Sequence, residues 1–251
     1  MQKKKTEEEI IKSKFFDGNT IIQANSTVKE KKFLHILCGL KQYGNENDGP
    51  DLISQEKNII YGIEYFEFDS AKNDRKGSKY RQQIANIDNS INTKIKNNDF
   101  IKNTSVLTLD SSLENYINNY KCVYNYHYSR VSEYIKRLNS DFPKLEKEIW
   151  FFIDDITPFG NHYIDNDGNP ILFFPMLSKE IVRIFENSKL IKGIMFATNT
   201  ASDRKIIRVY SNNDRKINIL KKECEKENVT SLMSQNPLCI TMVRKIKKNN
   251  I

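Results

Sequence analysis

Two carboxylates stand out by their setting. Asp51 follows Pro50 at the end of a stretch dense in turn formers, from Tyr43 to Pro50, and Glu64 lies within an apolar run from Ile59 to Phe68, with twelve residues between the two acids. A carboxylate within an apolar strand costs free energy unless it is paired, ligating or on a wet face. Alternation along a strand sets Glu64, Phe66 and Phe68 on one face. Two strand-borne carboxylates make a rigid oxygen clamp. Such a clamp suits a hard cation such as Mg²⁺, which takes oxygen ligands and keeps several waters, and which supports phosphodiester cleavage by activating water and neutralising charge.

Each residue also has a plainer reading. Asp51 caps the turn after Pro50 through its side chain, a habit of aspartate, and Glu64 faces solvent if that face of the sheet is uncovered. Glu67 and Asp69 are alternative ligands close to Glu64, and a shifted register moves Glu67 to the opposite face. The polar block from Asp69 to Ser78 carries Lys72, Arg75 and Lys76 and reads as an exposed loop suited to approach phosphate.

The order Pro50-Asp51, then Gly62-Ile63-Glu64, resembles the restriction-endonuclease-like PD-(D/E)xK superfamily. The resemblance runs from about Glu30 to Gln83, roughly a fifth of the chain. It implies that Asp51 and Glu64 jointly hold a divalent metal, and that Glu30, at the start of the first helix, is a further metal contact. In the family a lysine usually stands two positions beyond the acid, where this chain has Phe66. A phenylalanine neither positions water nor stabilises developing phosphorane charge. Lys79 is the candidate substitute, since Lys79 and Gln83 are similar to a K/R-x-x-x-Q pattern on the helix after the hairpin in several branches of the superfamily. Read without the resemblance, two polar residues one turn apart mark an ordinary wet helix face.

Elements must position these groups. Val28, Phe33, Leu34, Leu37 and Leu40 recur at helical spacing and predict a first helix that ends near Gly39 to Gly44. Asp51 to Ser54 and Ile59 to Phe68 predict a β-hairpin. Tyr80, Ile84, Ile87, Ile91 and Ile95 form one apolar helical stripe. Ser105 to Leu109 reads as a strand and Tyr128 to Leu138 as a helix, within an expected insertion at about 97–145. The apolar run Glu148 to Ile156 has the length and character of a central strand covered on both faces. Further strands are expected at Ile171 to Phe174, Ile191 to Ala197, Lys205 to Tyr210 and near Cys239 to Ile246. Helices are expected after Ser178 and over Asn213 to Lys226.

Other constellations are weaker. Asp154-Asp155 close the central run as either a second acidic site or a strand end. The tyrosine-rich tract from Tyr116 to Arg137 reads as a base-stacking surface or as core packing. Asp165 to Gly168 suggest a calcium loop, but its twelfth position is Met176 rather than glutamate, which excludes it. His35, His127 and His162 are too dispersed for a sequence-visible zinc site. No nucleophile elbow, Walker loop or dinucleotide fingerprint is present. Cys38, Cys122, Cys224 and Cys239 form no C-x-x-C pair and read as reduced, packed thiols.

A formal charge of +8 and a pI near 9.1 favour an anionic partner such as nucleic acid, although abundant lysine, asparagine and isoleucine also match the coding bias of an AT-rich genome. No run approaches the length of a membrane span and the first ten residues lack a signal-peptide core, so no membrane partner and a cytoplasmic location are expected. The chain therefore reads as α/β (α+β): a central mixed β-sheet flanked by helices, a restriction-endonuclease-like core with a helical insertion. A flexible or peripheral segment, 1–27, precedes a single domain, 28–251. The expected function is that of a Mg²⁺-dependent nuclease-like protein acting on nucleic-acid phosphodiesters. The alternative is a catalytically inactive relative that serves as a nucleic-acid or protein interaction module.

Overall fold

The computed structural model describes residues 6–15, 21–23, 39–43, 49–69, 89, 93, 113–156, 162–164, 170–172, 175–199, 205–227 and 231–232. In chain order the elements are helix α1 (Glu7–Phe15), strands β1 (Ile21–Gln23), β2 (Lys41–Gln42), β3 (Leu52–Glu56) and β4 (Ile59–Phe68), and helix α2 (Leu113–Asp141). Strands β5 (Glu146–Asp155), β6 (His162–Ile164) and β7 (Pro170–Leu172) follow, then a 3-10 turn (Pro175–Leu177) and helix α3 (Lys179–Asn187). Strands β8 (Ile191–Asn199) and β9 (Lys205–Ser211), helix α4 (Asp214–Glu227) and strand β10 (Ser231–Leu232) complete the order.

The alternation from Leu52 to Phe68 produces the expected hairpin. β3 and β4 pair antiparallel from Leu52 opposite Ile63 to Glu56 opposite Ile59. Lys57 in the tight turn between them has φ 51°, a left-handed conformation that glycine adopts without strain. β4 joins a seven-stranded mixed sheet of order β1-β9-β8-β5-β4-β3-β2. Its middle strands β4, β5 and β8 are parallel, so the continuous apolar run Ile149 to Ile153 is covered on both faces. A second sheet pairs β10, β6 and β7 antiparallel. The molecule is thus an α/β protein with a mixed sheet and flanking helices.

Period-two alternation sorts the core into two clusters. Phe66 and Phe68 of β4, Ile149, Phe151 and Ile153 of β5, and Phe196 of β8 face the helices α2, α3 and α4. Tyr61, Ile63, Tyr65, Trp150, Phe152 and Met195 face the other way, where Ile11 of α1 and Leu40 join them. The amino-terminal segment, expected to be peripheral, thus buries Ile11 completely and adds β1 to the sheet beside β9. Ile10 packs on the same cluster beside Ile11, and the neighbouring acids Glu7 and Glu8 accept hydrogen bonds from Gln42.

Within the stretch expected as an insertion, residues 113–141 form one helix that lies on the central strands and connects β4 to the parallel β5. Its inward stripe is Tyr116, Tyr120, Tyr124, Val131, Tyr134 and Leu138, all buried, so the tyrosine tract is core packing there. α2 approaches the sheet closely at Gly62, where an added Cβ would meet Leu138 Cδ1, Ile149 Cδ1 and Pro50 Cγ, each at 2.9 Å. Ser178 caps α3, its hydroxyl accepting from Ile181 N.

Most of the first helix expected from Val28 to Leu40, and the strands expected at Ser105 to Leu109 and Cys239 to Ile246, lie outside the described residues; at the helix's expected end Gly39 is in a turn, Leu40 is in no helix and Lys41–Gln42 form β2. Of the helix expected from Lys79, only Asn89 and Thr93 are described; both are helical, and the Thr93 hydroxyl donates to the Asn89 carbonyl at 2.8 Å. No helix among the described residues is long and apolar enough to cross a membrane.

Candidate functional site

The hairpin register brings the two leading acids together. Leu52 pairs with Ile63, so one step further Asp51 stands opposite Glu64, and directly opposed residues share a face. The Tyr65 backbone N–H donates to Asp51 Oδ2 at 2.8 Å and fixes that carboxyl at the head of the strand. Glu64 is only 2% exposed, beneath α2.

Helix α2 supplies the partners of Glu64. Tyr134 Oη donates to Glu64 Oε1 at 2.8 Å, and His127 Nδ1 lies 2.7 Å from the same oxygen. Burial, and then the Glu64 charge, push the Tyr134 hydroxyl well above its ordinary range, so it remains a donor. Glu64 Oε2 is buried without a hydrogen-bond partner. Phe66, two positions along β4, lies flat against the His127 ring, with centroids 4.1 Å apart and planes 7° apart, and meets Phe151 edge-on. Arg130, one turn from Tyr134, rests over the Tyr134 ring at 5.5 Å.

The pair is electrostatically loaded. Burial, followed by the neighbouring Glu64 charge, pushes the Asp51 carboxyl up to about 8. The Tyr65 N–H and Arg130 oppose this rise and Glu7 of α1 adds to it. Asp51 therefore holds a proton at neutral pH unless positive charge arrives.

Of the other acids considered on the sequence, Glu67 is exposed and lies 3.4 Å from the Tyr65 hydroxyl, on the face opposite Glu64. Asp154 and Asp155, consecutive on β5, point to opposite faces. Asp154 accepts from Tyr65 Oη at 3.2 Å and Asp155 from Tyr116 Oη at 2.7 Å, so the two do not converge on one site. Glu30, Lys72, Arg75, Lys76, Lys79 and Gln83 lie outside the described residues.

His127 was not singled out on the sequence as a partner of Glu64. Its signal was present: it falls on the inward stripe of α2, between Tyr124 and Val131, and a histidine at a core-facing position requires a buried polar partner. Among the described residues no set of three or more His, Cys, Asp or Glu forms a metal-holding group. The available donors are thus two carboxylates, with the remaining coordination positions left to water or substrate oxygens. No protein family, no curated protein and no solved structure matches the chain.

Proposed function

We propose that the chain is a Mg²⁺-dependent nuclease-like protein in which Asp51 and Glu64 hold the cation and nucleic-acid phosphodiesters are the substrate. The observation that carries this reading is the placement of Asp51, one residue before β3, against Glu64 of the antiparallel β4, with the Asp51 carboxyl held by the Tyr65 N–H. A partnerless buried oxygen on Glu64 and an Asp51 carboxyl raised to about 8 both suit a site that takes up positive charge. Two carboxylates with waters is a donor set that Mg²⁺ accepts. When bound there, the cation would supply an activated water and neutralise phosphate charge. The run β2-β3-β4, then α2, then β5 parallel to β4 supports the restriction-endonuclease-like core implied by the motif. The net charge of +8 fits a polyanionic substrate approached by Lys72, Arg75 and Lys76, with Lys79 or Gln83 assisting.

Incubation of plasmid and single-stranded DNA or RNA with the protein and Mg²⁺ or Mn²⁺ tests this reading. Cation-dependent cleavage abolished in Asp51→Ala and Glu64→Ala is expected; wild-type protein that leaves every substrate intact overturns it. A second reading, a catalytically inactive interaction module, is favoured by Phe66, which fills the usual lysine position with a buried ring stacked on His127. Binding of duplex DNA in a filter assay without cleavage would favour that second reading.

A further inference from the structure

We propose that His127 and Tyr134 are positioning residues for Glu64: by both engaging Oε1 they reserve Oε2 as the oxygen offered to a cation, with Phe66 as the seat of the His127 ring. This rests on the cation reading of the Asp51 and Glu64 pair given above. A carboxylate rotates freely unless its oxygens are distinguished. Here they are: Oε1 is contacted at 2.8 Å by the Tyr134 hydroxyl and at 2.7 Å by His127 Nδ1, while Oε2 is buried and unpartnered. The two partners of Oε1 come from one helix face, seven residues apart. The His127 ring is itself held at both its edge and its face, by Glu64 and by Phe66 at 4.1 Å and 7°. An ammonium at position 66 would not provide such a flat surface. Phe66 and His127 therefore form one arrangement around Glu64.

Groups that orient a ligating carboxylate typically change metal affinity by about 10- to 100-fold when removed. The experiment is calorimetric titration of the full chain with Mn²⁺ alone, for wild type, Asp51→Ala, Tyr134→Phe, His127→Leu and His127→Asn, with metal-free melting temperatures recorded beside it. Tyr134→Phe removes one hydroxyl, and its binding is expected to weaken roughly 10-fold or more, with a fall in metal-free melting temperature from the lost donor to a buried carboxylate. His127→Leu is expected to weaken binding similarly, whereas His127→Asn, whose amide nitrogen reproduces the place of Nδ1, recovers most of it. Variants that bind Mn²⁺ as tightly as wild type overturn the positioning role and leave the cation reading standing. Wild type that binds no Mn²⁺ overturns both. Loss in His127→Leu without recovery in His127→Asn removes His127 from the role.

Discussion

Phe66 and His127 lie ring against ring, 4.1 Å between centroids and 7° from coplanar, and tie the middle of α2 to the strand that carries Glu64. Phe66→Leu keeps most of the apolar volume but loses this stack and the edge contact to Phe151. It is expected to cost about 1 kcal/mol in urea unfolding. An unchanged midpoint would show that the stack contributes orientation alone.

The Asp51 carboxyl makes stability depend on pH. Its value rises from 3.8 to about 8 on folding, because burial and the Glu64 charge disfavour its ionised form. The contribution is therefore fully present below pH 3.8 and is lost as pH rises through about 8. In metal-free buffer Asp51→Asn is expected to melt close to wild type near pH 4 and above it at pH 8. A difference in melting temperature that stays constant across this range would refute the assignment.

Divalent cation should act in the opposite sense. Binding to the Asp51 and Glu64 pair displaces the Asp51 proton, so Mn²⁺ is expected to raise the melting temperature of wild type and to release protons into weakly buffered solution. Asp51→Asn is expected to lose both responses, and proton release that persists in it would point to another site.

Gly62 sets the distance between α2 and the sheet. A methyl group there meets Leu138, Ile149 and Pro50, each at 2.9 Å. The Leu138 and Ile149 methyls can give, but Pro50 Cγ belongs to a ring closed on the backbone, so Gly62→Ala is expected to destabilise by about 1–3 kcal/mol. Because Leu138 and Tyr134 share a helix face, the same variant is expected to loosen the Tyr134 contact to Glu64, read as a weaker Mn²⁺ affinity. Stability and affinity both at wild-type values would count against this linkage.

Tyr116 donates to Asp155 at 2.7 Å in a fully buried setting. Removing that hydroxyl in Tyr116→Phe takes a donor from a buried carboxylate, and a cost of about 1–3 kcal/mol is expected from denaturant midpoints.

The hairpin and the strand at Ile149 to Ile153 were legible because their information is local. A period of two and a two-residue turn at Lys57 and Asn58 set the register that puts Asp51 against Glu64. The contact between His127 and Glu64 spans 63 positions of sequence and depends on which strand the inward face of α2 meets and in what register, which no local period specifies. α2 read only as the shorter helix Tyr128 to Leu138 because four of its inward positions are tyrosines, residues equally at home on a surface. The docking of α1 was hidden for a related reason: its apolar contact comes from the short pair Ile10 and Ile11, amid charges that are satisfied in part by the distant Gln42.

β1 pairs with β9, Ile21 against Ile206, so of the described strands one made early waits for one made late. Assembly of that side of the sheet cannot proceed vectorially with synthesis, and such distant pairing slows folding. Until β9 arrives, β8 presents Ile194, Met195 and Phe196 on an unpaired edge of the growing sheet. A nascent chain stalled before Lys205 therefore exposes the strand most able to recruit another copy, and aggregation during expression is its natural failure.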